Sequence, residues 1–227
     1  MMKQLALGLA PPPAPSLDNF VAGRNAEVVA ALRAIAGPAP PERFVYLWGP
    51  ARCGKSHLLA AVTAACAQSG RKLAYAANAV ELARLTDAIS PQGIAVDDVH
   101  GFDAAAQSAL FTLYNAVREQ GGVLVAAADA PPAALGLRED LVTRLGWGLV
   151  YQVHALSDEE KAAALFAHAR ARGMPLPREV VDYLLVRQSR DLRHLIALLD
   201  ALDRHSLESK RAITVPLLRE LLAGDAR

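Results

Sequence analysis

The residues most able to do chemistry form one glycine-rich stretch that fits the phosphate-binding pattern G-x-x-x-x-G-K-[S/T]. The stretch consists of Gly49, Pro50, Ala51, Arg52, Cys53, Gly54, Lys55 and Ser56. Its glycines let successive backbone N–H groups point at an anion, and a helix that follows would add the positive partial charge of its N-terminus. Lys55 would reach the β-phosphate, or the β- and γ-phosphates of a triphosphate, and Ser56 would bind Mg²⁺. The stretch therefore predicts a nucleotide site.

Two adjacent carboxylates, Asp97 and Asp98, follow an apolar run further along the chain. A carboxylate at the end of a strand can hold Mg²⁺ through water, and a second one can orient an attacking water. We assign the first role to Asp97 and the second to Asp98. The alternative is an aspartate-rich turn at a strand end without a function.

Apolar strands and amphipathic helices alternate around these motifs. The sequence predicts strands at 44–48, 72–76, 94–97, 123–128 and 149–153, and helices at 24–35, 55–68, 80–88 and 104–120. Such alternation is typical of a parallel sheet with helices on both faces. Beyond residue 155 only helical patterns remain, at 158–172, 177–187, 190–207 and 214–223. The first begins with a capping box, Ser157 to Glu160, so we expect a small all-helical domain after an α/β domain.

Charge and composition exclude several classes of protein. The 24 Lys+Arg and 23 Asp+Glu residues leave a net charge of +1, too little to coat nucleic acid through bulk charge, although a local patch would be compatible with it. Cys53 and Cys66 cannot form a disulfide framework and lack the spacing of zinc ligands. No apolar run approaches the roughly 20 residues of a membrane span, and the N-terminal apolar patch is too short for a secretory signal. We expect a cytoplasmic protein with no membrane contact.

An ordered series of motifs resembles the ATPase region of the bacterial DnaA family of replication proteins. The motifs lie at 17–23, 49–56, 96–100, 129–132, 143–149 and 189–193. The resemblance implies an AAA+ P-loop NTPase of the α/β class, with a five-stranded parallel sheet flanked by helices and a small all-α lid. We expect a flexible tail and proline linker at 1–16, the nucleotide-binding domain at 17–155 and the lid at 156–227.

The resemblance also implies an adenine nucleotide, ADP or ATP, with Mg²⁺, and it assigns roles to further residues. Phe20 and Val21 would line the adenine side, and Asp129 would act as a polar sensor at the end of a strand. Arg193 would reach back to a phosphate from the lid. The alternative readings are a turn cap for Asp129 and an ordinary helix-surface arginine for Arg193.

Arg144, within the segment T-R-L-G-W-G-L, resembles the family's arginine finger, which acts in trans on the nucleotide of a neighbouring protein. Such a finger stabilises charge on the transferred phosphoryl group. The family often carries a second arginine four residues earlier, where this chain has Asp140, so a single finger is implied. The alternative is a surface arginine that pairs with Asp140 on one helix face.

Four residues of the N-terminal tail, Gln4, Leu5, Leu7 and Leu9, resemble the sliding-clamp-binding peptide of the Hda regulators within the DnaA family. The leucines would fill a pocket and Gln4 would fix the register by hydrogen bonds. The family often has proline where this chain has Gly8, which leaves open whether clamp binding is weaker here. The alternative is an unremarkable leader.

We expect the layout of the Hda group: this tail, the ATPase domain and the lid, with neither an oligomerisation domain before them nor a helix-turn-helix domain after them.

These resemblances imply a regulatory inactivator of DnaA. Bound to the DNA polymerase III beta sliding clamp, it would stimulate ATP hydrolysis on DnaA through Arg144 and so prevent re-initiation. It would be an activator of another ATPase more than an efficient ATPase itself, and a homodimer is compatible with this role. A stand-alone AAA+ ATPase such as a helicase loader shares every nucleotide-site residue and stays open as the alternative. The near-zero net charge disfavours direct sequence-specific DNA binding.

Overall fold

The computed structural model describes residues 14–86, 92–187 and 191–225. They divide into two compact units, one from Pro15 to Ala155 and one that contains the chain from Leu156 onward. The first unit contains strands β1 (Phe44–Trp48), β2 (Ala74–Ala76), β3 (Gly93–Val96), β4 (Val123–Ala128) and β5 (Leu149–Gln152), and helices α1 (Ala26–Ala36), α2 (Lys55–Gln68), α3 (Ala79–Thr86), α4 (Ala104–Glu119) and α5 (Glu139–Leu145).

The five strands form one sheet in the order β2-β3-β4-β1-β5, and every neighbouring pair is parallel. The central strand β4 reads V-L-V-A-A-A and is buried at all of its positions, as expected for a strand covered on both faces. Because all strands run the same way, the loops after β1, β3 and β4 leave from one edge of the sheet. We call this the carboxyl edge, and the opposite one the amino edge.

Helices cover both faces of the sheet, as predicted. Successive side chains of β1 point to opposite faces, so Val45 and Leu47 join one core and Tyr46 the other. The first core contains buried residues of α1 and α2, such as Leu32 and Leu58. The second contains buried residues of α3, α4 and α5. This two-sided burial fixes the register of the sheet and therefore the positions of its loops.

The second unit is all-helical, with α6 (Asp158–Ala171), α7 (Arg178–Arg187), α8 (Leu192–Ser209) and α9 (Val215–Asp225). Leucines from all four helices, including Leu165, Leu184 and Leu218, share one buried core. The predicted capping box is confirmed at the start of α6. The Glu160 N–H donates to the Ser157 hydroxyl at 3.1 Å, and the Ser157 N–H donates to the Glu160 carboxylate at 2.8 Å.

The predicted α/β fold, with a five-stranded parallel sheet and a separate all-helical unit, is therefore confirmed, with local differences that include the following two. Strand β2 begins at Ala74 instead of residue 72, and the sequence analysis predicted no separate element at α5. Helix α5 has seven residues, too few to show a helical period in the sequence. No helix in the described parts of the chain is long and apolar enough to cross a lipid bilayer.

Candidate nucleotide-binding site

The phosphate-binding loop connects the carboxyl end of β1 to the first turn of α2, which begins at Lys55. Gly54 has a φ of +107°, and a Cβ atom there would lie 2.7 Å from the ring of Phe20. A Cβ atom on Gly49 would collide with the carbonyl oxygen of Val153. Glycine is therefore required at both positions, and the loop is held between the N-terminal segment and the residue that follows β5.

Lys55 is buried inside this loop, with 8% of its surface exposed. Its Nζ donates to the carbonyl oxygens of Gly49 and Pro50 at 2.8 and 3.1 Å, and it lies 3.9 Å from Sγ of Cys53. Burial raises the pKa of the Cys53 thiol, an effect that the charge of Lys55 opposes. The positive charge of Lys55 therefore lies inside the loop for which the sequence predicts phosphate binding. Cys53 is a packing residue of the same loop.

The other loop residues face outward. Pro50, Ala51, Arg52 and Ser56 are exposed, and Arg52 has a left-handed backbone with a φ of +64°. Ser56 lies in the first turn of α2, directly after Lys55. Ser56 is therefore an exposed residue at the end of the helix that carries positive partial charge.

The two carboxylates after β3 have different surroundings. Asp97 is buried with 3% exposure, and its Oδ1 accepts a hydrogen bond from the N–H of Asp98 at 3.0 Å. The hydroxyl of Tyr75 lies 3.5 Å from Oδ2 of Asp97. Burial, followed by the nearby charge of Asp97, raises the pKa of Tyr75 to about 12. Asp98 is exposed, with a φ of +50°. The pair therefore provides one fixed carboxylate and one that faces solvent.

Asp129 follows β4, which lies between β1 and β3 in the sheet. Its side chain is 54% exposed, and its Oδ1 lies 3.8 Å from Nδ1 of His100. The strands that Asp97 and Asp129 follow are neighbours, because β3 pairs with β4. The structure thus brings the phosphate-binding loop, Asp97 and Asp129 to the ends of three adjacent strands at the carboxyl edge.

Phe20 and Val21 precede α1, and both are half-buried. The Phe20 ring packs against Gly54, and its centroid lies 5.4 Å from that of the His57 ring on α2. The structure therefore places Phe20 directly beside the phosphate-binding loop. Its role on the adenine side of a nucleotide stays a prediction, as does that of Val21.

The sequence analysis missed Asn25, which fastens this N-terminal segment to the sheet. Asn25 is 1% exposed, and its side chain binds both backbone groups of His154. Nδ2 donates to the His154 carbonyl at 2.9 Å, and Oδ1 accepts from the His154 N–H at 2.7 Å. A single asparagine before a helix resembles an ordinary cap in sequence, so no signal marked its partner 129 positions away.

Replacing Asn25 with alanine should lower the free energy of unfolding by about 1–3 kcal/mol, because both backbone bonds to His154 are lost. Chemical denaturation monitored by circular dichroism measures the change. Gln152→Ala is the control, since Gln152 is exposed near the same strand end and should change stability by less than about 0.5 kcal/mol. Equal stability of the two variants would show that the Asn25 contacts contribute nothing.

Arg144 lies at the other edge of the sheet. Its guanidinium carbon is 4.1 Å from the ring centroid of Trp147 and 6.0 Å from that of Tyr114. The Tyr114 ring is in turn 4.6 Å from the ring of Phe44, the first residue of β1. The phosphate-binding loop follows Trp48, the last residue of β1, and a five-residue strand spans about 13 Å. Arg144 is therefore near the amino edge, on the far side of the sheet from its own phosphate-binding loop.

The remaining predicted residues fall into three groups. Asp140 pairs with Arg138 at 2.7 Å and not with Arg144, so the alternative reading of Arg144 as its helix-surface partner is wrong. Arg193 belongs to the second unit, where it is 53% exposed with Nη2 at 3.7 Å from Asp191, and its contact with phosphate stays a prediction. The tail residues Gln4, Leu5, Leu7 and Leu9 lie outside the described residues.

Comparison with known proteins gives two family matches, one for each unit. Residues 13–152 match the model of the bacterial DnaA ATPase domain, and residues 158–222 match that of the Hda lid domain.

Several solved structures share the fold. Domain III of DnaA from Thermotoga maritima superposes with a TM-score of 0.75 at 21% identity, over 93% of this chain and 96% of that one. DnaA from Aquifex aeolicus bound to AMPPCP gives 0.71 at 21% identity, over 87% and 68%. RuvB from Thermotoga maritima gives 0.65 at 16% identity, over 92% and 71%.

Proposed function

Since the chain belongs to the bacterial DnaA family of AAA+ proteins, we propose that it is a negative regulator of the initiator DnaA itself. In this proposal the chain binds ADP or ATP in its own phosphate-binding loop and supplies Arg144 in trans to the ATP held by DnaA. Hydrolysis converts ATP-DnaA to ADP-DnaA, which prevents re-initiation. The match of the C-terminal helices to the Hda lid domain favours this regulatory branch of the family.

The position of Arg144 carries the proposal. The guanidinium lies near the amino edge of the sheet, whereas the chain's own phosphate-binding loop leaves the carboxyl edge. An arginine on that side cannot contact its own phosphates, but it can enter the site of a neighbour. A guanidinium placed against a phosphoryl group in transfer accelerates hydrolysis by about 10³- to 10⁵-fold in related NTPases.

The chain's own site is suited to hold a nucleotide with Mg²⁺. Asp97 is a buried carboxylate at the carboxyl edge, and Ser56 is exposed at the start of α2, so oxygen ligands of the kind that Mg²⁺ prefers are present. When bound, Mg²⁺ would neutralise charge on the phosphates. Lys55 would bind the phosphates, Phe20 and Val21 would line the adenine side, and Asp129 and Arg193 would respond to the bound nucleotide.

The test of the proposal is phosphate release from ATP-loaded DnaA, with and without this chain, in the presence of the beta clamp loaded on DNA. A regulator accelerates hydrolysis on DnaA and shows little turnover on its own. Strong ATPase activity of this chain without DnaA, combined with no effect on DnaA, would favour a stand-alone AAA+ ATPase such as a helicase loader. The same nucleotide site serves both readings, so only this comparison separates them.

Replacing Gln4 and Leu5 together with alanine should weaken binding to the beta clamp by about 30-fold or more, because anchor residues carry most of the energy of a short docking peptide. The proline-rich stretch 11–15 separates this tail from the nucleotide site, so ADP affinity should not change. Surface plasmon resonance on immobilised clamp and calorimetry with ADP measure the two affinities. A parallel loss of both would contradict an independent tail.

A further inference from the structure

An exposed tryptophan near the amino edge holds two guanidinium groups. Trp147 is 55% exposed and lies just after α5. The guanidinium carbon of Arg144 is 4.1 Å from its ring centroid, and that of Arg118, near the end of α4, is 5.0 Å away. We call Trp147, Arg144 and Arg118 the Trp147 platform.

Neither arginine of the platform forms an ion pair within residues 14–86, 92–187 and 191–225. Arg138 provides a contrast on the same α4–α5 surface, where its guanidinium carbon lies 5.8 Å from the ring centroid of Phe111. It binds the carboxylate of Asp140 and the hydroxyl of Ser108, both at 2.7 Å. The charge of Arg138 is therefore compensated by Asp140, whereas no carboxylate in the described residues forms an ion pair with either arginine of the platform.

Contact with an aromatic face does not use the hydrogen-bond donors of a guanidinium group. A guanidinium group stacks on an aromatic ring through its flat face, and its N–H groups point outward in its own plane. Those in-plane donors are the ones that bind phosphate in a bidentate manner. Trp147 can therefore fix the orientation of Arg144 without using the donors that an anion needs.

Two cations within about 5 Å of one ring centroid also repel each other, and a bound anion would relieve that repulsion. Arg118 and Arg144 each oppose the rise in the Tyr114 pKa that burial causes, and the weaker effect of Glu42 adds to that rise. The ring attracts each guanidinium through its quadrupole, by an amount that is modest at an exposed site. An anion that spans both groups is the ligand that this arrangement favours, and a chain of phosphates has the required charge.

We propose that the Trp147 platform is a two-guanidinium receptor for the phosphates of a nucleotide bound to the partner protein, with Trp147 as the positioning residue of Arg144. The inference rests on the proposed function, in which the partner is ATP-loaded DnaA. This receptor has two cations, whereas the sequence implied a single arginine finger. Arg118 of α4 supplies the second cation, which the family often carries at the position of Asp140.

The functional test uses the full chain with ATP-loaded DnaA and the clamp on DNA. Trp147→Leu keeps an apolar side chain but removes the ring, so the maximal stimulated rate should fall by roughly 3- to 30-fold while the half-saturating concentration stays the same. Trp147→Phe should retain an intermediate rate. Arg118→Ala should lower the maximal rate by about tenfold or more, and the matched control Arg138→Ala by less than about twofold.

Two results of this test would overturn the proposal. A higher half-saturating concentration of Trp147→Leu with an unchanged maximal rate would make Trp147 a docking contact instead of a positioning residue. Equal losses for Arg118→Ala and Arg138→Ala would mean that the platform has no special second cation.

Fluorescence quenching tests the platform without DnaA. Iodide is attracted by nearby cations and acrylamide is not, so Arg118→Ala and Arg144→Ala should each lower the ratio of iodide to acrylamide quenching, and Arg138→Ala should not. Trp48 contributes the same background in every variant. Unchanged ratios would overturn the platform whatever the chain does to DnaA. Lower ratios in a chain that never stimulates DnaA would instead reject the nucleotide-bearing partner, and with it the proposed function.

Discussion

Replacing Arg144 with alanine should reduce the stimulation of ATP hydrolysis on DnaA by about 10³- to 10⁵-fold, or to the unstimulated rate where that is reached first. The variant loses the guanidinium that the proposed mechanism places against the transferred phosphoryl group. Lysine should restore little of the rate, because a point charge cannot reproduce the planar, bidentate fork. Phosphate release from ATP-loaded DnaA, with the clamp on DNA, measures the effect.

The same variant should retain its fold, its ADP affinity and its clamp affinity. The contacts of Arg144 are ring contacts beside an exposed tryptophan, worth about 1 kcal/mol of stability, and they lie near the edge opposite the phosphate-binding loop. Arg138→Ala is the matched control, because its guanidinium is already bound by Asp140 and Ser108. Stimulation by Arg144→Ala at the wild-type rate would exclude the in-trans mechanism. Loss of an ATPase activity measured without DnaA would point to a stand-alone enzyme.

Much of the fold could be predicted because its signals are local. The alternation of apolar strands with amphipathic helices, and the apolar run of β4 in particular, follows from burial on both faces of a parallel sheet. The capping box at Ser157 lies within four residues, and the phosphate-binding loop within eight. Motifs of this kind combine backbone geometry and chemistry in one stretch of sequence, so position and role could be predicted together.

What could not be predicted depends on residues far apart in the chain. Asn25 binds the backbone of His154, 129 positions away, and nothing local distinguishes it from a helix cap. Arg144 lies beside Tyr114, which belongs to the distant helix α4, and beside Trp147 in the turn after α5. Helical spacing alone suggested Asp140 as the partner of Arg144, whereas the structure pairs Asp140 with Arg138. Arg118 was overlooked for the same reason, since its link to Arg144 is a shared aromatic ring.

Replacing Lys55 with alanine should weaken ADP binding by about 10²- to 10⁴-fold, because in the proposed site the buried ammonium would supply charge-assisted bonds to the phosphates that backbone N–H groups cannot replace. The glycines of the loop and the α2 N-terminus remain, so some affinity for phosphate should persist. Isothermal titration calorimetry with ADP and Mg²⁺ measures the change.

Ligand linkage makes the same variant testable through stability. ADP at 100 times its dissociation constant should stabilise the wild-type chain by about 2.7 kcal/mol, and the same concentration should stabilise Lys55→Ala by almost nothing. Lys161→Ala is the matched control, since Lys161 is also 8% exposed but lies in the helical unit beside Asp158. That variant is expected to lose some stability and to keep the full gain from ADP. If Lys55→Ala gained as much from ADP as the wild type, the nucleotide would have to bind elsewhere, and the assignment of the loop after β1 would be wrong.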